Sequence, residues 1–347
     1  MTSSVLRVLA GPTALAHIQQ HGLRQADINV MVGASGGPKW FSLFGLDQYL
    51  FGEFFAGRTK PLHILGSSAG AWRFACFAQA NPVAASQRFC HAYSHICYPK
   101  GADTNLISDI SAGIIDEVFP TEAALDQVLT NPVIKLNLVV AKARRIAAGR
   151  HRLAQASALT LAAGANMLHR KHLNHFFQRV LFHAPASQAP FHHAGILPTQ
   201  HVELNKANLR QAVVASGAIP LVLNPVEDIA GAGTGRYYDG GITDYHFDLP
   251  FSDDGLVLYP HFYPRLTPGW FDKALPWRRA TPAHLHNVVL LCPSEQWVKS
   301  LPFGKIPDRN DFKLPDKVRI AYWQEVIARS EQLAEALKQG NFVAEPL

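Results

Sequence analysis

The chain reads as an α/β fold built around a largely parallel central sheet, and three observations predict it. Short β-branched runs alternate with helical stretches along the chain, the pattern of strands joined by crossover helices. Two of those runs end in small-residue turns that lead straight into a helix: Gly33-Ala34-Ser35-Gly36-Gly37 and Gly66-Ser67-Ser68-Ala69-Gly70. The third is bulk: 347 residues, 48% hydrophobic and 17% charged, suffice to bury a sizeable core and exclude a disordered chain.

The elements follow in order. Asp27 to Gly33 is a buried strand, and Pro38 suits the first turn of the helix after it, where its missing N–H is not needed. Pro61 to Gly66 is a second strand, with a helix from Ser68 that Asn81-Pro82 stops. Val133 to Ala143 is a third strand. Gln200 to Asn205 is a short one, and Asn205 is the expected cap of the next helix. "GLVLYPHF" and "NVVLLCPS" are later strands. "DKVRIAYWQEVIARSEQLAEALKQG" predicts one long amphipathic helix, with Ile320, Trp323, Ile327, Ala334 and Leu337 along one stripe and Gly340 at its end. Residues 150–198 break the alternation and read as a basic helical insertion, a cap within one domain over 1–347.

Charge is unevenly placed. From Gln127 to Val202 there is no Asp or Glu, while nine Lys and Arg give the segment more positive charge than the +6 of the whole chain. Such a field favours anionic partners. Arg144, Arg145, Arg150, Arg152, Arg170 and Lys171 are expected to meet anionic headgroups, with Leu159, Leu161, Met167 and Leu168 toward acyl chains. No nucleic-acid motif accompanies the charge. Eight histidines between His151 and His201 show no metal-ligand spacing, and Cys76, Cys90, Cys97 and Cys292 form no C-x-x-C pair, so buried reduced thiols are expected. Gly11-Pro12 interrupts the first apolar run, and no stretch has 18 uncharged apolar residues. Neither a leader nor a membrane span is expected, and the cytoplasm, with peripheral membrane contact, is the expected location.

Both glycine turns fit G-x-S-x-G, which holds a nucleophilic serine on a sharp strand-to-helix turn. In the second, Gly66 and Gly70 clear space on either side of Ser68, and the helix that follows favours developing negative charge. In the first, Gly36 and Gly37 can offer free N–H groups to an oxyanion, which Pro38 cannot. Phosphate-loop and dinucleotide patterns are absent. Asp239, in Tyr237-Tyr238-Asp239-Gly240-Gly241, is a candidate base for a serine nucleophile.

Four motifs in order therefore resemble those of the patatin-like phospholipases. The family's glycine-rich oxyanion loop, serine elbow, A-S-x-A-x-P stretch and D-G-[GA] turn are matched here by Ser35 to Trp40, Gly66 to Gly70, Ala215 to Pro220 and Asp239 to Gly241. Ser35 and Trp40 stand where the loop's first and last glycines would be, and "ITDYHFDLP" replaces an Asn-rich stretch common after D-G-G. The resemblance implies a three-layer α/β/α sandwich and a serine acyl hydrolase of lipid esters, of phospholipase A or lysophospholipase type. It implies Ser68 as nucleophile, Asp239 as base and Gly36 and Gly37 as oxyanion donors, with no metal or cofactor. Two other readings stay open on the residues alone. One is an α/β-hydrolase triad completed by His261, His284 or His286; the other is a non-catalytic lipid-binding scaffold.

Overall fold

The computed structural model describes residues 5–149, 151–193, 195–251 and 255–347. Arg150, one of the expected headgroup contacts, lies outside them. Among the described residues eleven strands form one sheet: β1 (Leu6–Ala10), β2 (Ile28–Gly33), β3 (Leu62–Ser67), β4 (Ile134–Ala143), β5 (Phe177–His183), β6 (Thr199–Glu203), β7 (Val226–Glu227), β8 (Arg236–Asp239), β9 (Leu256–Pro260), β10 (Val288–Pro293) and β11 (Ala344–Pro346). The spatial order is β11-β1-β10-β9-β2-β3-β4-β5-β6, with β8 pairing both β4 and β7. From β10 through β9, β2 and β3 to β4 every pairing is parallel. Helices flank this mostly parallel sheet in an α/β/α sandwich. Covered on both faces, the middle strands are continuous apolar runs: β9 and β10 are buried at every position.

Strand β4 positions the site. Its ten residues serve two partners along one edge. Residues 134–139 pair with β3, and 140–142 pair with β8 running the opposite way. Ser67 sits opposite Val139, and Asp239 opposite Val140. Two strands thus approach head-on along one edge, and their ends meet at adjacent register positions.

A fully buried ion pair fixes the helix after β3. Arg73 donates from Nε and Nη2 to the two carboxylate oxygens of Asp47, at 2.7 and 2.6 Å, and neither side chain is exposed. This locks the helix Ala69–Phe77 against Phe44–Tyr49. Removing one partner of such a pair typically costs about 3–5 kcal/mol, because the other charge is stranded.

Five expectations change. The helix opened by Pro38 begins as a tight 3₁₀ segment, Gly37–Leu43, before the α-helix Phe44–Tyr49. The helix expected to be capped by Asn205 begins a turn later, at Leu209; Asn205 instead holds the preceding turn by accepting from Ala207 N and Asn208 N. The long C-terminal helix is two, Asp316–Arg329 and Glu331–Lys338. Ser330 makes the break: its hydroxyl donates to Ile327 O and accepts from Gly45 N on a neighbouring element. Segment 150–198 is only partly helical: Arg152–Leu168 is a helix, but Phe177–His183 is a strand of the main sheet. Arg179, one of the nine basic residues of the acid-free stretch, is buried on that strand and paired with Asp244 at 2.8 Å. Cys97 departs from the buried-thiol reading because it is exposed, while Cys76, Cys90 and Cys292 are buried and free.

Candidate active site

The elbow forms where β3 ends. Ser68 has φ 52 and ψ −129, a left-handed backbone rarely occupied by a residue with a side chain. That turn requires its glycines. A Cβ on Gly66 would lie 2.6 Å from Ala71 N, and one on Gly70 would lie 2.1 Å from Gly33 O. Strained backbone of this kind persists only when its surroundings over-determine it. Here the third motif does so: Ser216 Oγ accepts from Ser68 N at 2.9 Å and donates to Val139 O at 2.8 Å.

Ser68 Oγ donates to Asp239 Oδ2 at 2.8 Å. The other carboxylate oxygen, Oδ1, accepts from Gly241 N at 2.7 Å. Asp239 N donates to Ala218 O at 2.9 Å, so Ser216 and Ala218 brace both members of the pair. Gly240 O in turn accepts from Thr243 N and Asp244 N, closing the turn. Asp239 is nearly buried, and desolvation holds its carboxyl above the usual range; the hydrogen bonds from Ser68 and Gly241 and the charges of Arg309 and Lys273 oppose this.

The first glycine turn lies beside the second, since β2 and β3 pair as far as Gly33 and Gly66. Gly37 has φ +54, and among the described residues neither Gly36 N nor Gly37 N donates to a protein acceptor. Ser35, the other serine that fits the nucleophile pattern, points into a different network. Ser67 Oγ donates to Asp244 O at 2.6 Å, so the Ser35 hydroxyl, 2.7 Å from Ser67 Oγ, is the donor to it. Trp40, in a glycine's place, is turned away from the cleft. It is fully buried and stacks on Phe89 at 4.7 Å between ring centroids.

A cleft opens at the carboxyl ends of the parallel strands, where open α/β sheets bind ligands. Its walls include Ser35, Gly36, Gly37, Ser68, Asp239 and Gly241, with Ile219, Pro220, Ile242, Tyr245 and Trp270 supplying apolar surface, and Lys39 and Arg309 at its rim. Trp270 and Arg309 carry no motif. The stretch after D-G-G supplies Tyr245 to this wall and is tied down on both sides of it: Tyr245 O accepts from Ser35 N, and Arg179 holds Asp244.

Among the described residues no histidine bonds to Ser68 or Asp239. His261 is buried against Tyr263 O at 2.7 Å, held down to about 4 chiefly by desolvation. His284 pairs with Asp248 at 2.8 Å. Among the described residues, no group of His, Cys, Asp and Glu could hold a metal ion.

The structure also redistributes the cap's basic residues. Arg170 bonds to Asp272 and to Thr243 O, and Arg144 to Asn174, so both are structural. Leu159 is half-buried against the core, while Leu161, Met167 and Leu168 are exposed, as is Leu153, which the sequence did not single out.

The site is thus a serine elbow at the end of a strand in a mostly parallel sheet, with an aspartate at its hydroxyl. The Patatin-like phospholipase family model matches residues 31–246, more than half the chain, and covers all four motifs. The chain belongs to that family, and its fold is of the lipid-hydrolysing phospholipase type. Among solved structures, VipD from Legionella pneumophila aligns over 97% of this chain and 71% of its own, at 13% identity and a TM-score of 0.36. No curated protein matches.

Proposed function

We propose that the chain is a serine acyl hydrolase of lipid esters working through a Ser68–Asp239 dyad. The observation that carries the reading is the 2.8 Å hydrogen bond from Ser68 Oγ to Asp239 Oδ2 at a strained elbow. Asp239 takes the proton as Ser68 Oγ attacks the ester carbonyl. The N–H groups of Gly36 and Gly37 receive the developing oxyanion, a contribution on the order of 2.7–4 kcal/mol per donor in comparable sites. The proton passes to the leaving alcohol or lysolipid, and water, activated by the same carboxylate, hydrolyses the acyl-enzyme. No step calls for a metal or cofactor. A fluorophosphonate probe should label the protein at one residue, Ser68, read by peptide mass spectrometry. Absence of label from the folded protein, with no turnover of p-nitrophenyl acyl esters, would return the scaffold reading.

The same reading places the enzyme in the cytoplasm as one domain, touching anionic membranes through the helix Arg152–Leu168. That helix exposes Leu153, Leu161 and Leu168, with Arg145, Arg152 and Lys171 exposed around it. Among the described residues no helix is long and apolar enough to cross a membrane. Binding to vesicles should strengthen with anionic lipid and weaken with salt, and Leu168→Glu should reduce it. Equal sedimentation with neutral and anionic vesicles would remove this part of the proposal.

A further inference from the structure

The family match ends at residue 246, yet the chain beyond it returns to the cleft. Arg309 lines the cleft and lies over the oxyanion loop: a Cβ built on Gly37 would be 3.6 Å from Arg309 Cγ. Lys273 stands against two walls of the cleft. Its ammonium stands 3.6 Å above the ring of Tyr245 and 5.9 Å from that of Trp270, and both rings are cleft walls. Lys39, two residues after Gly37, also lines the cleft, and its charge and that of Arg309 both act on Lys273.

None of the three charged heads meets a carboxylate or hydrogen-bond acceptor among the described residues. The acids nearest Lys39 are already engaged. Asp308 and Asp311 both accept from Lys305, at 3.1 and 2.6 Å. Asp239, the carboxylate that acts on both Lys273 and Arg309, is bonded to Ser68 and Gly241. Three like charges crowded at one opening repel one another. Solvent reaches Lys273, but it stands in a recess: burial, with the charges of Arg309 and Lys39, lowers its ammonium to about 7. Lys39 is lowered too, mainly by desolvation. An arrangement that costs free energy when empty is relieved by an anion between the cations.

We infer that Arg309, Lys273 and Lys39 form an anion-binding subsite at the mouth of the cleft, selecting esters that carry a phosphate or similar anionic group close to the scissile bond over neutral esters. The inference rests on the hydrolase reading for its turnover arm and names the substrate class of that site. Arg309 and Lys273 are then specificity residues supplied by the segment beyond the family match. If they served only to hold Asp239 ionised, their loss would slow all esters alike and shift the acid limb of the pH profile.

The test compares 1-oleoylglycerol with 1-oleoylglycerol 3-phosphate in neutral detergent micelles, which share the acyl chain and scissile bond. The wild type should favour the phosphate ester in kcat/KM. Arg309→Gln and Lys273→Gln should each lower the ratio of phosphate ester to neutral ester by about tenfold or more, with Arg309→Lys recovering part of it. Both side chains are solvent-exposed, so thermal melting should show folded variants. A wild type without preference, or variants that leave the ratio unmoved, would overturn the inference. Calorimetry on Ser68→Ala protein tests binding without turnover. Inorganic phosphate that binds and is lost in Ser68→Ala/Arg309→Gln marks a general anion site; binding of the lipid phosphate alone assigns the site to the substrate headgroup. Failure of both to bind refutes the subsite, whatever the enzyme hydrolyses. If neither ester turns over but phosphate binds, the hydrolase reading fails and the subsite stands.

Discussion

Ser68→Ala should lower kcat/KM on a p-nitrophenyl acyl ester by about 10⁴-fold or more, while Ser35→Ala should leave it within about tenfold of wild type. Both serines sit in G-x-S-x-G, so pattern alone does not separate them. Geometry does. Ser68 occupies the strained φ and donates to the one carboxylate at the elbow. Ser35 donates to Ser67, which donates to Asp244 O. Removing the Ser35 hydroxyl takes one donor from that chain, and Ser67 still satisfies Asp244 O. The net cost of such a bond is about 0.5–1.5 kcal/mol, a loss of stability more than of chemistry. Removing the Ser68 hydroxyl takes away the atom that would carry the acyl group. Steady-state rates on both variants, with melting curves beside them, check the difference. A Ser35→Ala protein that melts normally but has lost activity as completely as Ser68→Ala would return the nucleophile to the first loop.

The strands that build this site were legible because they are buried on both faces and read as unbroken apolar runs. The motifs were legible because close approach demands small residues: no side chain fits between Gly70 and Gly33 O. What sequence could not show were facts of register and of long-range pairing. That β3 and β8 meet end-on along one edge of β4 depends on contacts between residues 171 apart, which periodicity does not encode. The basic cap misled for a related reason. Arg170 and Arg179 look solvated in a run without acids, yet their partners Asp272 and Asp244 lie far along the chain. Charge patterning finds partners a helical turn away and is blind to these. Lys273 and Arg309 carry no local signature for the same reason, since only the folded chain brings them over Gly37 and Tyr245.

Asp239→Asn should lower kcat/KM by on the order of 10³–10⁴-fold. It should also raise the melting temperature at neutral pH, by about 1–3 °C. The two effects have one origin. Desolvation lifts the Asp239 carboxyl above its ordinary value of 3.8 in the folded chain. The folded state therefore binds the proton more tightly than the unfolded state does, and stability falls as pH rises from the unfolded to the folded pKa. Above that window the wild type carries a buried charge that the hydrogen bonds of Ser68 and Gly241 and the fields of Arg309 and Lys273 only partly offset. Asparagine removes the charge and can keep the bond from Gly241 N through its carbonyl oxygen, so the fold gains while the base is lost. Lowering the pH protonates the wild-type carboxyl, and the stability advantage of the variant should shrink through the same window. The acid limb of the wild-type rate should fall there too, above the range of an ordinary aspartate, because only the ionised carboxyl accepts the Ser68 proton. Melting curves and rates of both proteins across pH test the linkage. A variant less stable than wild type at neutral pH, or an acid limb at the ordinary carboxylate value, would show that Asp239 is neither held up by burial nor the base.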